Sequence, residues 1–262
     1  MISINIATPS NRMLSKNQQK YILSLQQKKH RNETGYFVAE GNKLVGDMLP
    51  TFDCQWLIGT TDWLQMHPDA KAKLIVEATK EEIRKASGLT TPQDVIAVFR
   101  KPNYSLNSES IEKQLIIAAD CIQDPGNLGT IIRLADWFGI QHIVCSLDTV
   151  DVYNPKTVQA TMGALARVKV HYVDLVEFLK NQQSTAIYGT FLDGDDMYNA
   201  QLSQNGIIVM GNEGNGISST SEQYINKRLY IPNFPAGTET SESLNVAVAT
   251  AIICAEFRRR IR

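Results

Sequence analysis

The chain has 262 residues, of which 43% are hydrophobic and 20% charged, the balance of an ordinary globular protein long enough for two domains. Its formal net charge is −1, so no global basic field advertises nucleic acid, and any such binding has to use local patches. No apolar run approaches the roughly 18 residues of a membrane span, and the opening residues Met1-Ile2-Ser3-Ile4-Asn5-Ile6 lack the charged-then-apolar order of a secretory signal, so a cytoplasmic protein is expected. Cys54, Cys121, Cys145 and Cys254 are scattered without a Cys-x-x-Cys pair, and the four histidines show no ligand spacing, so neither disulfides nor a metal site is expected.

The N-terminal elements follow a regular order. Ser15 to Lys29 is predicted as a helix with Ser15 as its cap and Tyr21, Ile22 and Leu25 on one side. A strand, Tyr36 to Glu40, precedes a short helix from Gly41 to Leu49. Strands follow at 56–58, 73–77 and 94–99, and a helix at 79–86 opens with the capping-box pair Thr79 and Glu82. Strands alternating with short helices describe a small α/β domain. The polar stretch 100–110, rich in Ser, Asn and Pro, reads as a linker, which divides the chain into 1–104 and 105–262.

The second part alternates more clearly. Strands are predicted at 115–119, 142–145, 168–173, 186–190, 206–210 and 229–231, and helices at 127–138, 154–161 and 175–181. That pattern specifies a mostly parallel sheet with helices on both faces, and ligands then sit beyond the carboxyl ends of the strands. The last helix, from Val246, is nearly apolar and reads as buried, with Ser243 or Asn245 as its cap.

Three polar loops follow strand ends. In the first, Asp124-Pro125-Gly126-Asn127, Asn127 is positioned to cap a helix on which Arg133 lies six residues later. An arginine on so apolar a helix needs a carboxylate or a phosphate, so a structural ion pair and an anion-binding role are both open. In the second, Gly211-Asn212-Glu213-Gly214-Asn215-Gly216, the glycines allow close backbone approach to a ligand, but the order is not the dinucleotide fingerprint Gly-x-Gly-x-x-Gly. The third leads from Ile231-Pro232 through a long polar segment to Ser243-Leu244-Asn245. Basic runs at Lys28-Lys29-His30-Arg31 and at 258–262 are solvated helix ends or phosphate contacts. The neighbouring Tyr36 and Phe37 favour RNA contact for Lys28, Lys29 and Arg31.

Together the three loops resemble the motifs of the SpoU (TrmH-like) RNA ribose 2′-O-methyltransferases of the SPOUT superfamily. Asn127, Gly129 and Arg133 match the first motif, and Gly211, Glu213, Gly214 and Gly216 the second. The third is matched by Ile231-Pro232 with Ser243-Leu244-Asn245-Val246-Ala247-Val248-Ala249. The order agrees across residues 114–258. More loosely, Lys28 to Arg31 and Phe37 to Gly41 resemble the ribosomal-protein-like substrate-binding domain of rRNA-modifying members.

The resemblance implies a C-terminal trefoil knot and a homodimer. It implies S-adenosylmethionine held at Thr190, Gly211, Ile231 and Leu244, and catalysis by Arg133 with Asn127, Glu213, Ser243 and Asn245. The RNA is expected to be rRNA before tRNA. A nicotinamide-dependent oxidoreductase on a doubly wound sheet, and an RNA-binding protein without activity, are the competing readings. The loop 233–242 looks longer than usual for the family, and Asn233 stands where Met is frequent.

Overall fold

The structure is a computed structural model that describes residues 13–107, 111, 113–182, 184–235, 238 and 243–260. Contacts divide these into two compact units. One holds the chain through Pro102 together with Tyr153–Ala166, the other Asn103–Val152 with the chain from Arg167 onward. The segment 153–166 therefore departs from a single cut at 104/105: it packs with the N-terminal unit, where Tyr153 lies 4.6 Å from Phe37, ring to ring.

The N-terminal unit is a four-stranded mixed sheet in the order β1-β4-β2-β3, made of β1 (Tyr36–Glu40), β2 (Cys54–Gly59), β3 (Leu74–Glu77) and β4 (Val95–Arg100). Side chains alternate across the sheet. Val38, Ile58, Val76, Ile96 and Val98 face Ile22 and Leu25, and also Ile83 of α5 (Lys80–Ala86). Phe37 and Phe99 pack against Phe52 on the other side, edge-on or tilted. The capping boxes at Ser15 with Gln18 and at Thr79 with Glu82 are both formed.

The helix expected over 15–29 is instead two, α1 (Lys16–Ser24) and α2 (Lys28–Thr34). The break has a visible cause. Arg31 turns inward, only 1% exposed, and its Nη1 donates to the carbonyls of Leu25 (2.9 Å) and Gln26 (2.8 Å). These carbonyls lie just past the end of α1, where backbone acceptors lose their helical partners. A short helix over Thr61–Met66, capped by Thr60, also escapes a periodicity reading because it barely exceeds one turn.

The C-terminal unit is a six-stranded sheet, and all its pairings are parallel. Its order is β10-β8-β9-β5-β6-β7, from β5 (Leu115–Ala119), β6 (His142–Ser146), β7 (Lys169–Val173), β8 (Ile187–Asp196), β9 (Gly206–Met210) and β10 (Lys227–Tyr230). Central strands β5, β6 and β9 are buried throughout, as continuous apolar runs require. One face packs on Leu175 and Leu179. Two long helices, α6 (Pro125–Trp137) and α10 (Val246–Arg259), pack on each other, and Phe257 meets Tyr188 edge-on.

Helix α10 is not wholly buried. Ile253, Cys254 and Phe257 lie inside, while Val248 is 49% exposed. Among the described residues no helix is long and apolar enough to cross a membrane.

Candidate active site

Strands β5 and β9 are neighbours at the point where the strand order reverses, and the loops that leave their carboxyl ends diverge there. In an open parallel sheet that crevice is where ligands bind. The β9 loop is shaped by its glycines, Gly211 by close approach and Gly216 by its backbone conformation. A Cβ on Gly211 would lie 2.2 Å from both the Gly216 carbonyl carbon and the Ile217 nitrogen, and Gly216 adopts φ +70°. Asn212 closes this loop from inside. Its Oδ1 accepts from the backbone of Gly214 (2.9 Å) and Asn215 (3.1 Å), and its Nδ2 donates to the Cys121 carbonyl (2.7 Å).

Glu213 then reaches the β5 loop. Its carboxylate accepts from the backbone of Gln123 and Asp124, each at 3.3 Å, and from Nδ2 of Asn127 at 3.0 Å. Burial alone would raise its pKa, but the donors from Asn127, Gln123 and Asp124 outweigh it and hold the carboxyl below its usual range. The helix cap is Asp124, whose side chain accepts from the Asn127 backbone at 2.8 Å, so Asn127 is not the cap the sequence pattern suggested. Its side chain is thereby released for the site. Asn127 Oδ1 accepts from Nδ2 of Asn245 at 3.0 Å, while Asn245 Oδ1 caps α10 by accepting from Ala247 (2.9 Å) and Val248 (3.3 Å). A chain of three side chains, Glu213–Asn127–Asn245, thus links all three motif loops.

Beside this chain lies a cavity of about 520 Å³, within the range of sites for a drug-sized ligand. Thr190, Gly211, Ile231 and Leu244 all line it, with Glu213, Ser243, Phe191, Glu222 and Tyr230. The backbone groups of Gly211, Ile231 and Leu244 form no hydrogen bond with other described residues, which leaves donors and acceptors beside apolar walls. Ser243 is exposed at the edge and has no hydrogen bond among the described residues. Of the loop 233–242, residues 236, 237 and 239–242 lie outside the described residues.

Arg133 stands apart. It is exposed and makes no hydrogen bond or ion pair among the described residues, so the buried arginine with a structural partner is not what forms. Six residues beyond Asn127 on α6, it is displaced by about 9 Å along the axis and a third of a turn around it. Lys28 and Lys29 are exposed, but the buried Arg31 is committed to the end of α1 and is corrected out of the RNA-contact set. No group of three or more His, Cys, Asp or Glu among the described residues is arranged to hold a metal.

Residues 114–255 match the model of the SpoU rRNA methylase family. The chain belongs to that family. Residues 16–97 match the MRM3-like substrate binding domain. Over 238 residues, 89% of this chain and 93% of the relative, the SpoU chain is 32% identical to the 23S rRNA (guanosine(2553)-2′-O)-methyltransferase RlmP of Bacillus subtilis. A TrmH-family structure from Porphyromonas gingivalis superposes with a TM-score of 0.86 at 43% identity, covering 95% of this chain and 99% of that one. An AdoMet-bound rRNA methyltransferase from Sinorhizobium meliloti gives 0.83 at 30% identity, covering 96% and 97%.

Sequence reasoning missed Asn212, Phe191 and Glu222. Asn212 had a signal, since an amide inside a glycine turn can bind backbone on both sides. Phe191 and Glu222 had none.

Proposed function

We propose that this protein transfers a methyl group from S-adenosylmethionine to a ribose 2′-hydroxyl of rRNA. The Glu213–Asn127–Asn245 chain, whose Glu213 lines the cavity, carries the reading, because it makes three distant loops into one preorganised site. The names of the relatives, one of them an rRNA (guanosine-2′-O)-methyltransferase, support the substrate class. In this reading the C-terminal unit carries the trefoil knot of the family.

Thr190, Gly211, Ile231 and Leu244 would hold the cofactor, largely through backbone groups. Bound there, it supplies an electrophilic methyl on a sulfonium. Arg133 grips the phosphate next to the target ribose and stabilises the charge that develops on the 2′-oxygen. A guanidinium stays protonated in proteins, so Arg133 does not act as the base. The proton leaves to a phosphate oxygen or to water. Asn127, Glu213, Asn245 and Ser243 keep the loops and the sugar in place, and Lys28 and Lys29 contact RNA phosphates.

The apolar residues left in water on the packed α6 and α10 pair support a homodimer. Trp137 is 83% exposed, and Val248 and the adjacent Leu244 are about half exposed. The test is transfer of tritiated methyl to total RNA by the wild type and by Arg133→Ala, with cofactor binding measured on both. Transfer by the wild type alone, with binding by both, is the expected result. Equal transfer by the variant would defeat the role of Arg133, and absence of transfer by the wild type would defeat the activity.

A further inference from the structure

Strands β8 and β10 pair with a break in register. Arg228 faces Gly189, yet the next residue, Leu229, faces Asp195. Residues 190–194 therefore bulge out of the ladder. Thr190, Phe191 and Leu192 of that bulge line the cavity, whereas Arg228 does not.

Arg228 nevertheless holds the bulge at several points. Its guanidinium carbon lies 3.6 Å from the centroid of the Phe191 ring. Nη2 donates to Asp193 at 2.6 Å, and Nη1 donates to Glu222, also a lining residue, at 2.6 Å. The base of the bulge closes on bare backbone: a Cβ on Gly194 would come within 2.5 Å of the Leu229 carbonyl carbon. Ion pairs this exposed add little to global stability, but a planar fork stacked on a ring fixes geometry.

We propose that Arg228 is a positioning residue that holds the 190–194 bulge, and through it Phe191, as one wall of the cofactor cavity. Cofactor affinity depends on it far more than fold stability does. The inference rests on the cavity being the S-adenosylmethionine site.

The test is calorimetric titration of the full chain with S-adenosylmethionine and S-adenosylhomocysteine. The proteins are wild type, Arg228→Ala, Phe191→Ala, the double variant and Arg228→Lys. Arg228→Ala should weaken both ligands by about tenfold, and the double variant should be no worse than Phe191→Ala alone, the signature of two residues acting through one contact. Arg228→Lys should not restore affinity, because an ammonium cannot stack and bridge two carboxylates at once. A folded Arg228→Ala within about twofold of wild type, or effects that add, would overturn the proposal. If Arg228→Ala does not fold, full affinity in Arg228→Lys overturns it equally. A wild type that binds neither ligand would overturn it together with the cofactor assignment, whereas normal wild-type binding with an unaffected variant overturns the Arg228 role alone.

Discussion

Asn127→Asp is the sharpest perturbation of the site, because it changes one NH₂ to one oxygen at the centre of the three-loop chain. The new carboxylate would stand 3.0 Å from that of Glu213. At that separation two unit charges repel by about 5 kcal/mol at an effective dielectric constant near 20. Protonating one of them offers an escape that costs about 4 kcal/mol at pH 7 from an ordinary carboxylate pKa. Both groups are only half-buried, and solvent screening reduces the penalty further, to about 2–3 kcal/mol.

Urea unfolding and S-adenosylmethionine titration at pH 7.5 and pH 5 measure the loss. The loss should shrink at pH 5, where protonation costs only about 1.5 kcal/mol. Wild-type Glu213 is held below the usual carboxylate range and stays charged over that span, so the pH dependence of the difference between the two proteins belongs to the variant pair. Adding Glu213→Gln should recover part of the loss, since an amide again faces a carboxylate. An Asn127→Asp protein as stable and as tight-binding as wild type at pH 7.5 would refute the linkage of the loops through this pair.

Further outcomes follow from other residues. Arg133→Ala should lower single-turnover methyl transfer by about 10²–10³ with cofactor affinity unchanged, and Arg133→Lys should recover little because the planar fork is gone. Arg31→Ala should cost about 2–4 kcal/mol in urea unfolding, since it leaves the buried carbonyl of Leu25 and the part-buried one of Gln26 without their guanidinium donor. His171 is hydrogen-bonded to His142 at 3.0 Å, and burial, aided by His142 and Lys169, depresses its pKa to about 4. The unfolded chain then binds more protons below its ordinary pKa of about 6.5, so stability should fall as pH drops from there to about 4. His171→Gln should flatten that slope in melting curves taken across the same range.

Much of this architecture is legible before any coordinates. The strands of the parallel sheet announce themselves as uninterrupted apolar runs, and the polar turns after 119, 210 and 231 stand out against them. What escapes is whatever depends on where a side chain turns. A basic run reads the same whether its arginine faces water or, like Arg31, closes the end of a helix. Asn127 and Asp124 are both capable caps, and only the backbone path assigns the role to Asp124 and frees Asn127 for Glu213. The bulge at 190–194 is a matter of register between β8 and β10, which no local pattern encodes. Arg133 is the one cation amid the apolar residues of its helix, and its exposure could not be read from those neighbours.

The most direct measurement is digestion of rRNA to nucleosides after incubation with the wild-type protein and isotope-labelled S-adenosylmethionine, followed by mass spectrometry. The labelled methyl should appear on ribose, as a 2′-O-methylnucleoside, and should vanish with Arg133→Ala. Label on a base, or none on the RNA at all, would contradict the account.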